Sequence, residues 1–225
     1  MIVAQADGDP FVRWDWIWGH LDLVWEKVLE HLVLTGIALG IGLTVALLLS
    51  ALALRFRKTY APITWVTGIA YSIPSLALFA FLVPITGFTI LTAEIGLVSY
   101  TLLILIRNVV AGIDGVDPAI KEAATGMGYT RRRLFFQIEL PLALPVIIAG
   151  LRIAGVTTIG LVTVTALIGQ GGVGFFILRG LNRFFSTEIV LGTMLSVILA
   201  VAVDLSLLGL ERILTPWSKR TGSAT

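Results

Sequence analysis

The stretch GVDPAIKEAATGMGYTRRRLFFQIELPLALP, residues 115–145, separates two long apolar segments with a charged, turn-punctuated block. It holds Lys121, three consecutive arginines, the acids Asp117, Glu122 and Glu139, and three glycines. Asp117 followed by Pro118 reads as a helix start: an aspartate accepts from free N–H groups, and proline is tolerated at the first helical position. Residues 119–125 supply two turns, after which Gly126 and Gly128 end the helix and allow a sharp reversal. Thr130 caps a second short helix, expected to end at Pro141. Its first turn carries Arg131, Arg132 and Arg133, where cations oppose the helix dipole. Those arginines therefore need lipid phosphates or an acidic partner. The block reads as a helix–turn–helix lying on one face of a membrane.

The rest of the chain says why a membrane is involved. Of 225 residues, 57% are hydrophobic and 13% charged, about half the charge of a water-soluble domain. A spanning helix needs about 20 apolar residues. Residues 32–54, 62–83, 90–113, 142–168 and 188–210 meet that length, with Pro74 a kink in the second. The fold class is therefore all-α and polytopic, with about five spans. Cysteine is absent, which excludes disulfides, thiolate nucleophiles and Cys-ligated metal. His20 and His31 both lie near the start, so no His-based metal cluster is expected, and no catalytic residue is assigned.

Orientation follows from where the basic residues lie. One set of loops carries Arg55, Arg57, Lys58, Lys121, Arg131, Arg132, Arg133, Arg212, Lys219 and Arg220; the other carries Arg13, Lys27, Arg179 and Arg183. The positive-inside rule puts the richer set in the cytoplasm, hence an external N-terminus and an internal C-terminus. The expected organisation is an external interfacial segment over 1–30, a membrane domain over 31–215 with its large cytoplasmic loop at 115–141, and a cytoplasmic tail over 216–225. Residues 1–30 are rich in acids and hold Trp14, Trp16, Trp18 and Trp25, which suits the headgroup region and does not resemble a cleavable leader.

Within the large loop, Glu122-Ala123-Ala124, Gly128, Ile138 and Leu140-Pro141 fit E-A-A-x3-G-x9-I-x-L-P. By this pattern the chain resembles the permease subunits of binding-protein-dependent ABC importers of type I. The resemblance implies a coupling helix that docks on a cytoplasmic ABC ATPase dimer through Glu122, Ala123, Ala124, Gly126, Gly128, Arg131, Arg132, Ile138, Leu140 and Pro141. It also implies a second permease chain, an extracytoplasmic substrate-binding protein, and residence in a bacterial inner membrane. ATP and Mg would be bound by the ATPase; this chain would hold no cofactor and is expected to be no enzyme. The segments IPSLALFAFLVPITG (73–87), IRNVVAGIDGVDPAIKEAATGMG (106–128), ELPLALPVIIAGLRIAGVTTIG (139–160) and LIGQGGVGFFILRGL (167–181) look like the osmoprotectant branch, which implies glycine betaine, choline, carnitine or proline betaine as solute. A methionine-type or other amino-acid importer is the alternative. A secondary carrier would show repeated halves, and a membrane enzyme clustered acids, His or Cys; neither pattern is present. Nothing suggests a nucleic-acid partner.

Other features carry weaker expectations. GQGGVG (169–174) fits G-x-G-x-x-G but follows a span, not a strand, so it reads as a flexible external turn and not a dinucleotide loop. Arg107, Arg152 and Asp204 are intramembrane charges, which are costly and usually paired. The depths of Arg152 and Asp204 suit a pair, with Arg107 a competitor. Gly155, Thr158 and Thr165 share a face of the fourth span and are candidates for lining the pathway, or for bonding within the bundle. Arg179, Asn182, Arg183 and Glu188 are external candidates for docking a binding protein, or headgroup anchors.

Overall fold

The computed structural model describes residues 10–217. Lys219 and Arg220, used above, lie outside them, as do the acids among residues 1–9. The first long helix, α2 (Leu21–Arg55), follows a five-residue α1 (Trp14–Trp18). It begins eleven residues before the expected start at 32, because no glycine or proline interrupts 21–35. The expected interfacial segment is thus divided: α1 stands alone and residues 21–30 belong to the spanning helix. A short 3-10 turn (Arg57–Thr59) leads into α3 (Tyr60–Ser72) and α4 (Ser75–Thr86).

The expected kink at Pro74 is a break: α3 and α4 bend by 95°. Proline has no N–H to donate and forces the preceding residue out of the helical region; Ile73 is extended, with ψ 129°. Among the described residues, four helices are long and apolar enough to cross a membrane, or five spans if the bent pair counts as one. The remaining elements are α5 (Ile90–Asp114), α6 (Pro118–Gly126), α7 (Arg131–Leu134), α8 (Leu140–Val164), α9 (Gly174–Arg183) and α10 (Ser186–Leu214).

Helix α5 is the centre of the bundle, packed against α2, α3, α4 and α8. It runs parallel to α2: Leu34 and Ala38 share one core layer with Ala93 and Leu97, and Gly42 meets Thr101 at the same spacing. A Cβ on Gly42 would lie 2.1 Å from Thr101 Oγ1, and one on Gly150 of α8 would lie 2.4 Å from Asn108 Cβ. Small residues at these crossings let backbones approach, as membrane bundles require. A second core layer, with Ala46, Ala53, Leu105, Ile106, Val110 and Ala154, lies nearer the basic end.

Candidate functional site

The loop between α5 and α8 sits at the end of the bundle where the basic residues gather. Its first helix forms as its sequence dictates. The Asp117 carboxylate accepts from the Ala119 N–H at 2.8 Å, and Pro118 occupies the first turn. Its end is a Schellman turn: Tyr129 N–H donates to Ala124 O at 3.1 Å and Gly128 N–H to Thr125 O at 2.9 Å. Only Gly128 takes a left-handed conformation, φ 84°; Gly126 is the last helical residue and plays no part in the reversal.

The motif divides by face. Glu122 and Ala123 are exposed, whereas Ala124 is 1% exposed and packs inward, so it offers no surface to a partner. Ile120 and Met127 are exposed to 43% and 70% and lie three and four residues from Ala123. The three form an apolar stripe beside Glu122, the side of α6 that a partner would meet. This stripe was not among the expected docking residues, although its helical spacing is legible in the sequence.

Lys121 was also missed as a functional residue. Its Nζ donates to Ile113 O at 3.2 Å and lies 3.4 Å from the Glu139 carboxylate. One side chain thus ties α6 to the end of α5 and to the start of the next span. Arg57 makes a fork with Asp114, at 2.7 and 2.6 Å, joining α2's end to α5's; those hydrogen bonds hold its proton more tightly than in a free arginine. A cavity of about 540 Å³ opens among Arg55, Arg57, Lys121, Arg131, Arg132 and Glu139.

The second half of the loop departs from expectation. Helix does not end at Pro141; it is continuous from Arg131 to Ile168. Thr130 caps it, accepting from Arg133 N–H at 3.4 Å. The turn before the proline is a π-helix, Phe135–Glu139, with Leu140 N–H bonded to Phe135 O. A proline ring clashes with the carbonyl four residues back in an α-helix, and the wider turn makes room for it. Ile138, Leu140 and Pro141 are half-buried in this turn, and Ile138 and Pro141 line a groove with Ile120 of α6. Arg131, Arg132 and Arg133 are exposed.

Elsewhere, Arg152 and Asp204 form a two-pronged pair, Nε–Oδ1 2.8 Å and Nη2–Oδ2 2.9 Å, with Glu211 3.5 Å from the guanidinium. Arg107 is no competitor; it lines a separate groove between α3 and α5. Thr158 and Thr165 are 1% and 0% exposed, and Gly155 faces Val203 and Leu207 of α10. All three are core residues, not pathway-lining ones. The Thr158 hydroxyl donates to Ala154 O and the Thr165 hydroxyl to Val162 O, within the same continuous helix.

Of the external candidates, Glu188 is 1% exposed and bonded to Arg179 at 2.7 Å. The Arg179 guanidinium also lies over Phe175 and Trp16. Both belong to the interior of an α9–α10 hairpin on which the N-terminal segment packs: Arg13 N–H donates to Thr187 Oγ1 at 3.0 Å and Ser186 Oγ to Phe11 O. Asn182 and Arg183 remain on the surface. The GQGGVG turn is tightly packed instead of flexible. Gly172, φ 48°, donates to Glu30 Oε1 at 3.2 Å, and a Cβ there would come within 2.5 Å of His31 Cβ.

The profile of a family described as "Binding-protein-dependent transport system inner membrane component" matches residues 36–220. The chain is 37% identical over 190 residues to the choline transport system permease protein OpuBB of Bacillus subtilis, covering 84% of this chain and 88% of that one. It is 37% identical over 198 residues to the carnitine transport permease protein OpuCB of Listeria monocytogenes, with 88% and 90% covered. The osmoprotectant import permease protein OsmW of Salmonella typhimurium is 32% identical over 192 residues, with 83% and 89% covered. Among solved structures, a chain of the MetNI methionine ABC transporter in an inward-facing form superposes with a TM-score of 0.75, at 21% identity, covering 88% of this chain and 98% of that one.

Proposed function

The chain belongs to the family of binding-protein-dependent transport system inner membrane components, and from that premise we propose that it imports compatible solutes, with ATP-driven motion entering through α6. It is a multi-pass inner-membrane transport subunit. The solutes are glycine betaine, choline, carnitine or proline betaine, a reading supported by the names of relatives sharing a third or more of its residues. The methionine alternative is not favoured, since the MetNI likeness at 21% identity speaks for the fold alone.

The observation that carries the mechanism is the exposed Ile120–Ala123–Met127 stripe with Glu122 beside it, on a helix braced to two spans by Lys121. The partners are a cytoplasmic ATPase dimer, which binds ATP and Mg, a second permease chain and an external binding protein. The ATPase grips the stripe, and Arg131 and Arg132 meet its acidic groups. Its closure then moves α6 and the continuous helix from Arg131 as one body. Externally, Asn182 and Arg183 are the surface left for the binding protein. The test is ATP-driven uptake of labelled glycine betaine into proteoliposomes holding this chain with its ATPase, permease and binding-protein partners. Uptake that requires ATP and collapses in Glu122→Lys is the expected result; uptake without ATP or ATPase would refute it.

A further inference from the structure

We propose that the groove between α3 and α5 is a transit site for a zwitterionic quaternary-ammonium solute, with the carboxylate on Arg107 and the ammonium against Trp65 and Tyr71. This rests on the import function proposed above and adds where in the membrane the solute is held.

Arg107 is the one arginine of the central helix α5. It lies in α5, seven residues before Asp114, about 10 Å along the helix. Its side chain is exposed in the single chain, and among the described residues it has no acidic partner. An arginine at this depth does not face acyl chains; it faces a protein interior or a water-filled cavity. The other sides of α5 are covered by α2, α4 and α8, so the open strip beside α3 is where Arg107 meets water or a solute.

The groove suits a small molecule. Its volume is about 690 Å³, and it runs along α3 from Thr64 to Ile73, away from the basic end and up to the break at Pro74. Trp65 and Tyr71 are exposed to 72% and 38%. The Tyr71 ring is held edge-on by Tyr100, 5.9 Å between centroids. Tyr100 OH in turn donates to Ile73 O, satisfying a carbonyl that the break frees. Irregular backbone within a membrane is tolerated where it lines a cavity. A trimethylammonium group donates no hydrogen bond but is drawn to aromatic faces, while a carboxylate fits a guanidinium fork. The groove places the aromatic rings on its α3 wall and the guanidinium on its α5 wall.

This chain has no cysteine, so an introduced thiol is its only one, and labelling is read on this subunit after the subunits are separated. In the assembled transporter in membrane vesicles, Ser72→Cys is expected to react with a trimethylammonium methanethiosulfonate, and glycine betaine is expected to slow that reaction. Reaction no faster than at Ile198→Cys, an exposed apolar position, overturns the site. In uptake, Arg107→Gln is expected to raise KM for glycine betaine about tenfold while leaving that for choline, which lacks the carboxylate, within about twofold. Trp65→Leu is expected to weaken both. Equal loss of both solutes in Arg107→Gln, in a variant that assembles normally, assigns Arg107 a structural role and overturns the proposal. If the unsubstituted transporter takes up neither solute, the proposed function falls, and the thiol protection alone decides the site: protection by glycine betaine upholds it, none overturns it.

Discussion

Replacing Lys121 by methionine keeps most of the stem and removes the brace between α6 and the two spans. The Nζ–Oε1 separation of 3.4 Å gives about 5 kcal/mol of attraction at an effective dielectric constant of about 20. Desolvation and side-chain ordering offset most of that. The two side chains are 27% and 17% exposed, so the pair lies between a surface pair, worth about 0.2–1 kcal/mol, and a buried one, whose breaking costs about 3–5 kcal/mol. A net loss of about 1–2 kcal/mol follows, or roughly 5–30-fold in the equilibrium that keeps α6 docked to its own spans. The helix would then move with the ATPase without carrying the membrane domain along. The measurement is solute imported per ATP hydrolysed in proteoliposomes: Lys121→Met is expected to lower the ratio several-fold with ATP hydrolysis largely retained. Glu139→Gln, which leaves the bond from Lys121 to Ile113 O, should lower the ratio less, and the double variant should be little worse than Lys121→Met, because loss of the lysine already breaks the pair with Glu139. An unchanged ratio in Lys121→Met, or additive losses in the double variant, would refute the brace.

Asp204→Ala is expected to lower the yield of assembled complex, read by size-exclusion chromatography, more than it changes solute preference, because it removes both close hydrogen bonds of Arg152 and leaves only the longer contact to Glu211; normal yield with altered preference would contradict this. Glu94→Gln is expected to raise stability by about 1–3 kcal/mol, read as a higher melting temperature in detergent, since it removes a carboxylate that is 7% exposed and has no hydrogen-bond partner among the described residues. A lower melting temperature would show that the carboxylate is bound by something outside this chain.

The residue pattern by itself determined a good deal. Runs of apolar residues long enough to span a bilayer can hardly do anything else, and the basic residues between them set the cytoplasmic end. Asp117-Pro118 and Gly128 define the ends of α6 because caps act on their immediate neighbours, within a few residues of backbone. What needed the tertiary structure was every property of a face. In a membrane bundle a helix can be apolar all round, so hydropathy does not say which side packs. Hence Gly155, Thr158 and Thr165 were left open between lining a pathway and bonding within the bundle, and burial decides for the second. Glu188 and Arg179, read as surface, are each other's partners under an N-terminal segment that the sequence left separate. The same limit hid the Lys121 brace, whose partners lie 8 and 18 residues away on different helices. Local chemistry is written along the chain; burial and pairing depend on which helices meet, and α5 at the centre of the bundle decided that.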